Sequence, residues 1–302
     1  MALSVYQIEE GNKLAPRFDL HEYLPCITMD ATSGEVLMLG FMTPEALDKT
    51  IATGKATYYS RSRKKIWVKG EESGLVQTVK ELMIDDDQDC VLIKVDVAGG
   101  ASCHVGYRSC FYRKVKEGVA WSLVAGTQAG GSDLDNLDFT IAEKTFDPLK
   151  TYGAHAAPSP ELFKLEEGAK LMPRFDLNPY LPCITMDADS GEVLMLGYMT
   201  PEALEKTIAT KKATYYSRSR KKLWIKGEES GLTQHVQEVM IDDDQDCILI
   251  RVKVTGGASC HVGYRSCFYR KVKPGTTDDL EFTIAEKTFD PVKVYGPHAA
   301  TH

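Results

Sequence analysis

The sequence predicts a mainly β protein with few helices, built from two homologous units carried in one chain of 302 residues. Three observations predict it. First, the chain repeats itself: Lys13 pairs with Lys170, Cys26 with Cys183, Asp85 with Asp242 and Cys110 with Cys267, all at an offset of 157. Only 17 of the 104 pairs between 13–116 and 170–273 differ, so both copies encode one architecture. Second, short β-branched and aromatic runs bounded by turn residues recur along each copy, the pattern of strands. Third, a single segment per copy carries the start signals of a helix.

Taken in order, the strands of the first copy are read at 26–30, 35–39, 56–60, 66–69, 76–84 and 90–95. The helix falls between the second and third. Thr43 is a natural N-cap, Pro44 suits the first helical position, Glu45 places an acid in the first turn, and Gly54 is a stop. The second copy repeats this from Thr200 with Lys211 where the glycine was. Beyond residue 118 the copies diverge. Phe139 pairs with Phe282, so the offset falls from 157 to 143 and the first copy carries 14 additional residues. Gly126, Gly130, Gly131 and Ser132 mark that insertion as a surface loop. Ala156-Ala157-Pro158-Ser159-Pro160 reads as the join, giving repeats 1–157 and 158–302, each within the usual size of one domain.

Composition narrows the class. With 36 Lys+Arg against 43 Asp+Glu, the net charge is -7, which argues against a nucleic-acid polymer as partner while leaving room for a local basic patch that grips small phosphates. No apolar stretch approaches the roughly 20 residues that span a bilayer. The first ten residues lack a basic region followed by an apolar one. The expectation is a cytoplasmic protein without membrane contact. Eight cysteines in such a chain are reduced thiols or metal ligands rather than a disulfide framework.

Three constellations can carry chemistry. Asp85-Asp86-Asp87-Gln88-Asp89-Cys90 recurs as Asp242-Asp243-Asp244-Gln245-Asp246-Cys247. If extended, it would set Asp85, Asp87 and Asp89 on one side, where a hard cation such as Mg²⁺ would relieve their repulsion. A solvated acidic loop is the plainer reading. Cys103-His104-Val105-Gly106-Tyr107-Arg108-Ser109-Cys110 recurs from Cys260 to Cys267. Its two thiols and imidazole can supply a zinc site whose remaining position holds water, and a histidine beside a thiolate site is also a natural proton acceptor near neutral pH. Cys26, Cys90, Cys183 and Cys247 sit among apolar neighbours and read as buried small hydrophobes. Ser60-Arg61-Ser62-Arg63 recurs as Ser217-Arg218-Ser219-Arg220, alternating hydroxyl and guanidinium groups that suit a phosphate, or simply a basic hairpin in solvent.

In combination and in this order, Gly34-Glu35-Val36-Leu37-Met38-Leu39, Tyr59-Ser60-Arg61-Ser62-Arg63, Trp67-Val68-Lys69-Gly70-Glu71, the Asp-x-Asp-x-Asp run and Cys-His-x-Gly-x-x-Ser-Cys-Phe-Tyr-Arg resemble the phosphoribosyl-AMP cyclohydrolase family of histidine biosynthesis. The resemblance covers roughly 20–116 and 177–273. It implies a β-rich interlocked dimer, here two cyclohydrolase-like units forming an intramolecular interlocked pseudo-dimer, linked at high effective concentration. It further implies Mg²⁺ on Asp85, Asp87 and Asp89 and on Asp242, Asp244 and Asp246, and Zn²⁺ on Cys103, Cys110, Cys260 and Cys267. The family's third zinc cysteine falls at Asp86 and Asp243 in this chain. A carboxylate can complete a zinc site with two thiolates, so Asp86 is expected to face Cys260 and Cys267, and Asp243 to face Cys103 and Cys110.

The implied substrate is a phosphorylated purine nucleotide, 1-(5-phosphoribosyl)-AMP, whose adenine ring is opened at N1–C6 by water activated at zinc. His104 or His261 would take the proton, and Ser60, Arg61, Ser62, Arg63, Ser217, Arg218, Ser219 and Arg220 would hold the substrate. Leu75 and Leu232 depart from the histidine usual after Ser-Gly in the family. With Asp86 and Asp243, they leave two alternatives: a metal hydrolase acting on another amidine or ribosylated purine, and a non-catalytic metal-binding homologue.

Overall fold

The computed structural model describes residues 3–119, 121, 135–154 and 157–296. Gly126, Gly130, Gly131 and Ser132 of the insertion, and Ala156 of the join, lie outside them. In the first repeat the elements are α1 (Val5–Glu9), β1 (Leu24–Asp30), β2 (Val36–Met42), α2 (Pro44–Thr53), β3 (Thr57–Ser60), β4 (Lys65–Val68), β5 (Gln77–Ile84), β6 (Val91–Val97), β7 (Arg113–Val115), β8 (Leu137–Phe139) and α3 (Pro148–Tyr152). The second follows as α4 (Pro160–Glu167), β9 (Leu181–Asp187), β10 (Val193–Met199), α5 (Pro201–Thr210), β11 (Thr214–Ser217), β12 (Lys222–Ile225), β13 (Gln234–Ile241), β14 (Ile248–Val254), β15 (Arg270–Val272), β16 (Leu280–Phe282) and α6 (Pro291–Tyr295).

The fold is mainly β, and each expected strand is present with shifts of up to three residues at its ends. Helix α2 begins as its residues dictate: the Thr43 hydroxyl accepts from the Ala46 amide, and Gly54 closes the helix in the left-handed region at φ 66°. Lys211 adopts the same conformation at φ 56° without a glycine's freedom, a local strain that the rest of the second copy must hold. Helices α1 and α4 lie outside the elements read from sequence. They are short, and their signals, Ser4 and Ser159 as N-caps, sit ahead of the strand-rich region.

One six-stranded sheet runs in the order β16-β15-β5-β6-β1-β2 and the other β10-β9-β14-β13-β7-β8. β1 lies between β2, antiparallel, and β6, parallel. All seven of its residues are buried, which explains an apolar run with little alternation. Two outer strands of each six-stranded sheet come from the opposite repeat. β15 pairs with β5 through Arg270 against Ile84 and Lys271 against Met83, and β7 pairs with β13 through Arg113 against Ile241 and Lys114 against Met240.

Two compact units result, Met1–Ser102 with Ala258–His302, and Cys103–Gly257. These are different divisions from the sequence repeats 1–157 and 158–302, because the chain leaves each sheet after Ser102 or Gly257 and supplies the thiol-bearing loop and its following strands to the other. Among the described residues, no helix is long and apolar enough to cross a membrane.

Candidate metal centres

In the unit containing β5, the acidic run begins where that strand ends. It is not extended. After Ile84 the chain turns tightly, with Gln88 left-handed at φ 61°, and the Asp85 carboxylate accepts the Cys90 amide at 2.9 Å. Asp85, Asp87 and Asp89 still converge, one oxygen from each lying within 4.8 Å of the others, but the turn gathers them rather than strand alternation. Asp242, Asp244 and Asp246 do the same in the other unit. An octahedral Mg²⁺ with oxygens at ~2.1 Å spaces them ~3 to 4.2 Å apart, so the clusters fit a hard cation. Burial first, and then the charges of Asp87, Asp89 and Asp86, push the Asp85 carboxyl well above the usual aspartate range. Asp242 behaves alike.

Asp86 points away from that cluster, toward the thiol loop. Cys260 Sγ donates to its Oδ2 at 3.3 Å, His261 Nδ1 lies 3.0 Å from the same oxygen, and Cys267 also bonds to this carboxylate. In the second unit Cys103 Sγ donates to Asp243 Oδ2 at 3.1 Å, His104 Nδ1 lies at 3.2 Å, and Cys110 completes the set. Burial alone would raise Asp86; the His261 charge and the hydrogen bonds from His261, Cys267 and Cys260 overcome it and hold the carboxyl at about 2. Asp243 is likewise held below the ordinary range. Conversely, partial desolvation would lower these half-exposed imidazoles, but Asp86 and Glu9 raise His261, and Asp243 and Glu166 raise His104, each to about 11.

The donors suit zinc. Ligand atoms of Asp86, Cys260 and His261 lie within 4.8 Å of one another, as do those of Cys103, Cys110 and Asp243. Tetrahedral zinc with ligands at ~2.0–2.3 Å sets donors ~3.3–3.8 Å apart, so only small movements close these sets on an ion. A buried carboxylate ringed by two thiols and an imidazole is a ligand set that gives up protons on binding a metal.

Residues Cys26, Cys90, Cys183 and Cys247 are fully buried, and burial pushes the Cys26 and Cys183 thiols up, as expected of packing residues. The serine and arginine pairs lie on separate hairpins, β3–β4 and β11–β12. Ser60 Oγ accepts from the Arg63 amide and from its Nε at 3.2 and 3.3 Å, and Arg61 stacks 4.0 Å above the Phe41 ring. Ser217 binds Arg220 in the same manner, and Arg218 stacks on Tyr198; Ser62 and Ser219 lie 3.4 Å from the Ser60 and Ser217 hydroxyls. Beside His261 and Glu9 opens a cavity of about 450 Å³, walled also by Tyr6, Lys287, Phe289 and Val292.

A family model described as phosphoribosyl-AMP cyclohydrolase matches residues 38–112 and again 195–269. A phosphoribosyl-AMP cyclohydrolase of Rhodopseudomonas palustris strain HaA2 is 53% identical over 143 residues, 47% of this chain and 97% of that protein. Those of Bradyrhizobium diazoefficiens, 50% identical over 133 residues, and Nitrobacter winogradskyi, 49% identical over 150 residues, are covered to 94% each, against 44% and 50% of this chain. The chain belongs to the phosphoribosyl-AMP cyclohydrolase family. It carries the family's sequence twice, as a tandem duplication.

The structure adds residues that the sequence left unassigned. Arg270, the last residue of its motif, is fully buried and donates to the carbonyls of Asp85 and Asp86 at 3.0 and 2.8 Å. Arg113 does so to Asp242 and Asp243 at 2.8 and 2.6 Å. Each thus fixes the backbone that aims the aspartate. Gly106, at φ 108°, lets its carbonyl accept from the Thr145 amide at 2.7 Å. A Cβ there would lie 2.5 Å from the Phe146 carbonyl, so Thr145 and Phe146, outside the matched region, brace the thiol loop. Leu75 and Leu232 pack onto Gly99 and Gly256.

Proposed function

We propose that this chain opens the adenine ring of 1-(5-phosphoribosyl)-AMP at N1–C6, using two equivalent sites, each assembled from both repeats in an intramolecular interlocked pseudo-dimer. The observation that carries this is the convergence of Asp86 with Cys260, Cys267 and His261, and of Asp243 with Cys103, Cys110 and His104, in a chain of this family. The exchange of β7–β8 and β15–β16 between sheets supports the pairing.

Asp86, Cys260 and Cys267 would hold one zinc ion and Asp243, Cys103 and Cys110 the other. Zinc, when bound, supplies the Lewis acidity that makes water nucleophilic near neutral pH. Asp85, Asp87 and Asp89, with Asp242, Asp244 and Asp246, would hold Mg²⁺, whose charge offsets the phosphates of the substrate. His261 and His104 move the proton. As the C6–N1 bond breaks, its electron pair goes to N1, which takes a proton from the protonated imidazole; the neutral ring left behind takes up the proton that the oxygen sheds as it bonds to C6. The carboxylates on both ring nitrogens favour an imidazole carrying its proton, the form that can donate to the departing nitrogen. Arg61, Arg63, Arg218 and Arg220, with Ser60, Ser62, Ser217 and Ser219, are the groups offered to the phosphates.

The test is a spectroscopic assay of ring opening on phosphoribosyl-AMP, paired with metal analysis of the purified protein. Turnover is expected, falling at least ~100-fold in H104A/H261A. Bound metal without turnover would direct the search to another amidine or ribosylated purine, as the Leu75 and Leu232 departures allow. Neither metal nor turnover would leave a homologue that has kept the fold alone.

A further inference from the structure

Each repeat opens with a short helix, α1 or α4, that lies outside the region matched by the family model. These helices are fixed to the metal centres with unusual economy. Tyr269 Oη donates to the Glu9 carbonyl at 2.5 Å, and Arg270 Nη1 donates to the carbonyls of Ile8 and Gly11 at 2.6 and 3.0 Å. Gln88, the left-handed residue of the acidic turn, donates to the carbonyls of Ile8 and Lys13 at 3.0 and 3.1 Å. It accepts the Ala15 amide at 2.7 Å. Lys287 pairs with Glu10 at 2.8 Å from the other side.

The second unit repeats every contact. Tyr112 Oη donates to the Glu166 carbonyl, Arg113 to those of Leu165 and Gly168 at 2.7 and 2.9 Å, and Gln245 to those of Leu165 and Lys170, both at 3.0 Å. Lys144 pairs with Glu167 at 2.6 Å. What this clamp presents is a carboxylate. Glu9 Oε1 lies 3.2 Å from His261 Nε2, and Glu166 Oε1 lies 2.9 Å from His104 Nε2. The Glu9 and Glu166 side chains are 12% and 7% exposed, against 45% and 58% for the histidines they meet, so the anchor is fixed and the imidazole is the part that would otherwise swing.

We infer that Glu9 and Glu166 are positioning residues that lock the imidazoles of His261 and His104 against Asp86 and Asp243, making the helix that opens each repeat a working part of the site. A ring held at both nitrogens has one orientation, whereas a ring held at one can rotate about its remaining bond. Orientation of a proton-transferring group is worth orders of magnitude in rate when the reacting atoms must come within hydrogen-bond reach. The proposal rests on the proton-transfer role given to these histidines above.

The test compares E9A/E166A, E9Q/E166Q and the unaltered chain. In the alanine variant kcat is expected to fall ~10- to 100-fold with KM changed less than about threefold. Bound zinc should be unchanged, and exchange of the His104 and His261 ring N–H protons with water, read by NMR, should be at least ~10-fold faster. Glutamine, which keeps an acceptor oxygen, should recover most of both. Unaltered kcat, or unaltered ring-proton exchange, in a zinc-loaded alanine variant would overturn the inference, as would loss of zinc in proportion to activity. An unaltered chain with no turnover would sink the substrate reading instead, and the exchange comparison would still decide whether the glutamates lock the rings.

Discussion

Asp86 and its neighbour Asp85 are adjacent in sequence and opposite in behaviour, because adjacent side chains on a tight turn face different surroundings. Burial, and then the surrounding carboxylates, raise Asp85 and Asp242, so the folded protein without metal binds more protons than the unfolded chain above the ordinary value of 3.8. Stability from these groups is present at low pH and is lost as pH rises through their raised values. The histidines act in the same sense: despite partial desolvation they are raised to about 11 by their carboxylate partners, and their contribution, full below 6.5, is lost as pH climbs through about 11. Asp86 acts oppositely, its contribution being present above 3.8 and lost as pH falls through about 2. Metal-stripped protein is therefore expected to have a lower Tm at about pH 8.5 than at about pH 6, while added Mg²⁺, which binds ionised carboxylates, should raise Tm more at the higher pH. D85N/D242N should flatten the first trend and remove the second; a Tm that rises with pH in stripped protein would contradict the assignment. The acidic composition of this turn was visible in the sequence. Its shape was not, because Gln88 takes a left-handed conformation that glutamine rarely adopts.

At the level of elements, the strands and helix α2 were legible because local patterning, capping and turn residues agree with the fold there. Helices α1 and α4 were not: each carries its own cap, Ser4 with Gln7 and Ser159 ahead of Pro160 and Glu161, but five and eight residues have too little periodicity to stand out, and the buried arginines add the tertiary bonds that hold them. Arg270 spends its guanidinium on the carbonyls of Ile8, Gly11, Asp85 and Asp86, and Arg113 on the matching four. Replacing either by methionine removes a buried cation and strands its acceptors, with an expected loss of about 3–5 kcal/mol. Lysine keeps the charge but cannot reach all four carbonyls, and should fall between. Denaturant titration checks both, with cobalt absorption of the thiolate site as a second readout: R270K should weaken cobalt binding at the Asp86 site while sparing the other. Equal cobalt affinity at both sites in R270K would contradict the aiming role.

Across the whole molecule, the duplication was plain from the 157-residue offset, whereas the exchange of strands was implied only by family resemblance. Near-identical repeats give each copy of β15 two equally suited partners, β5 and β13, and no hydrophobic pattern can choose between them. The structure joins β15 to β5 and β7 to β13, so Asp86 meets thiols 174 residues away at Cys260. That crossing makes a sharp distinction between paired variants, read as zinc per chain in purified protein. Unaltered chain should hold about two zinc ions. C260A/D86A alters both repeats but a single site and should keep about one, whereas C260A/D243A alters the second repeat alone and should keep none. About one zinc in C260A/D243A, with none in C260A/D86A, would show that each site belongs to its own repeat and would overturn the crossed arrangement.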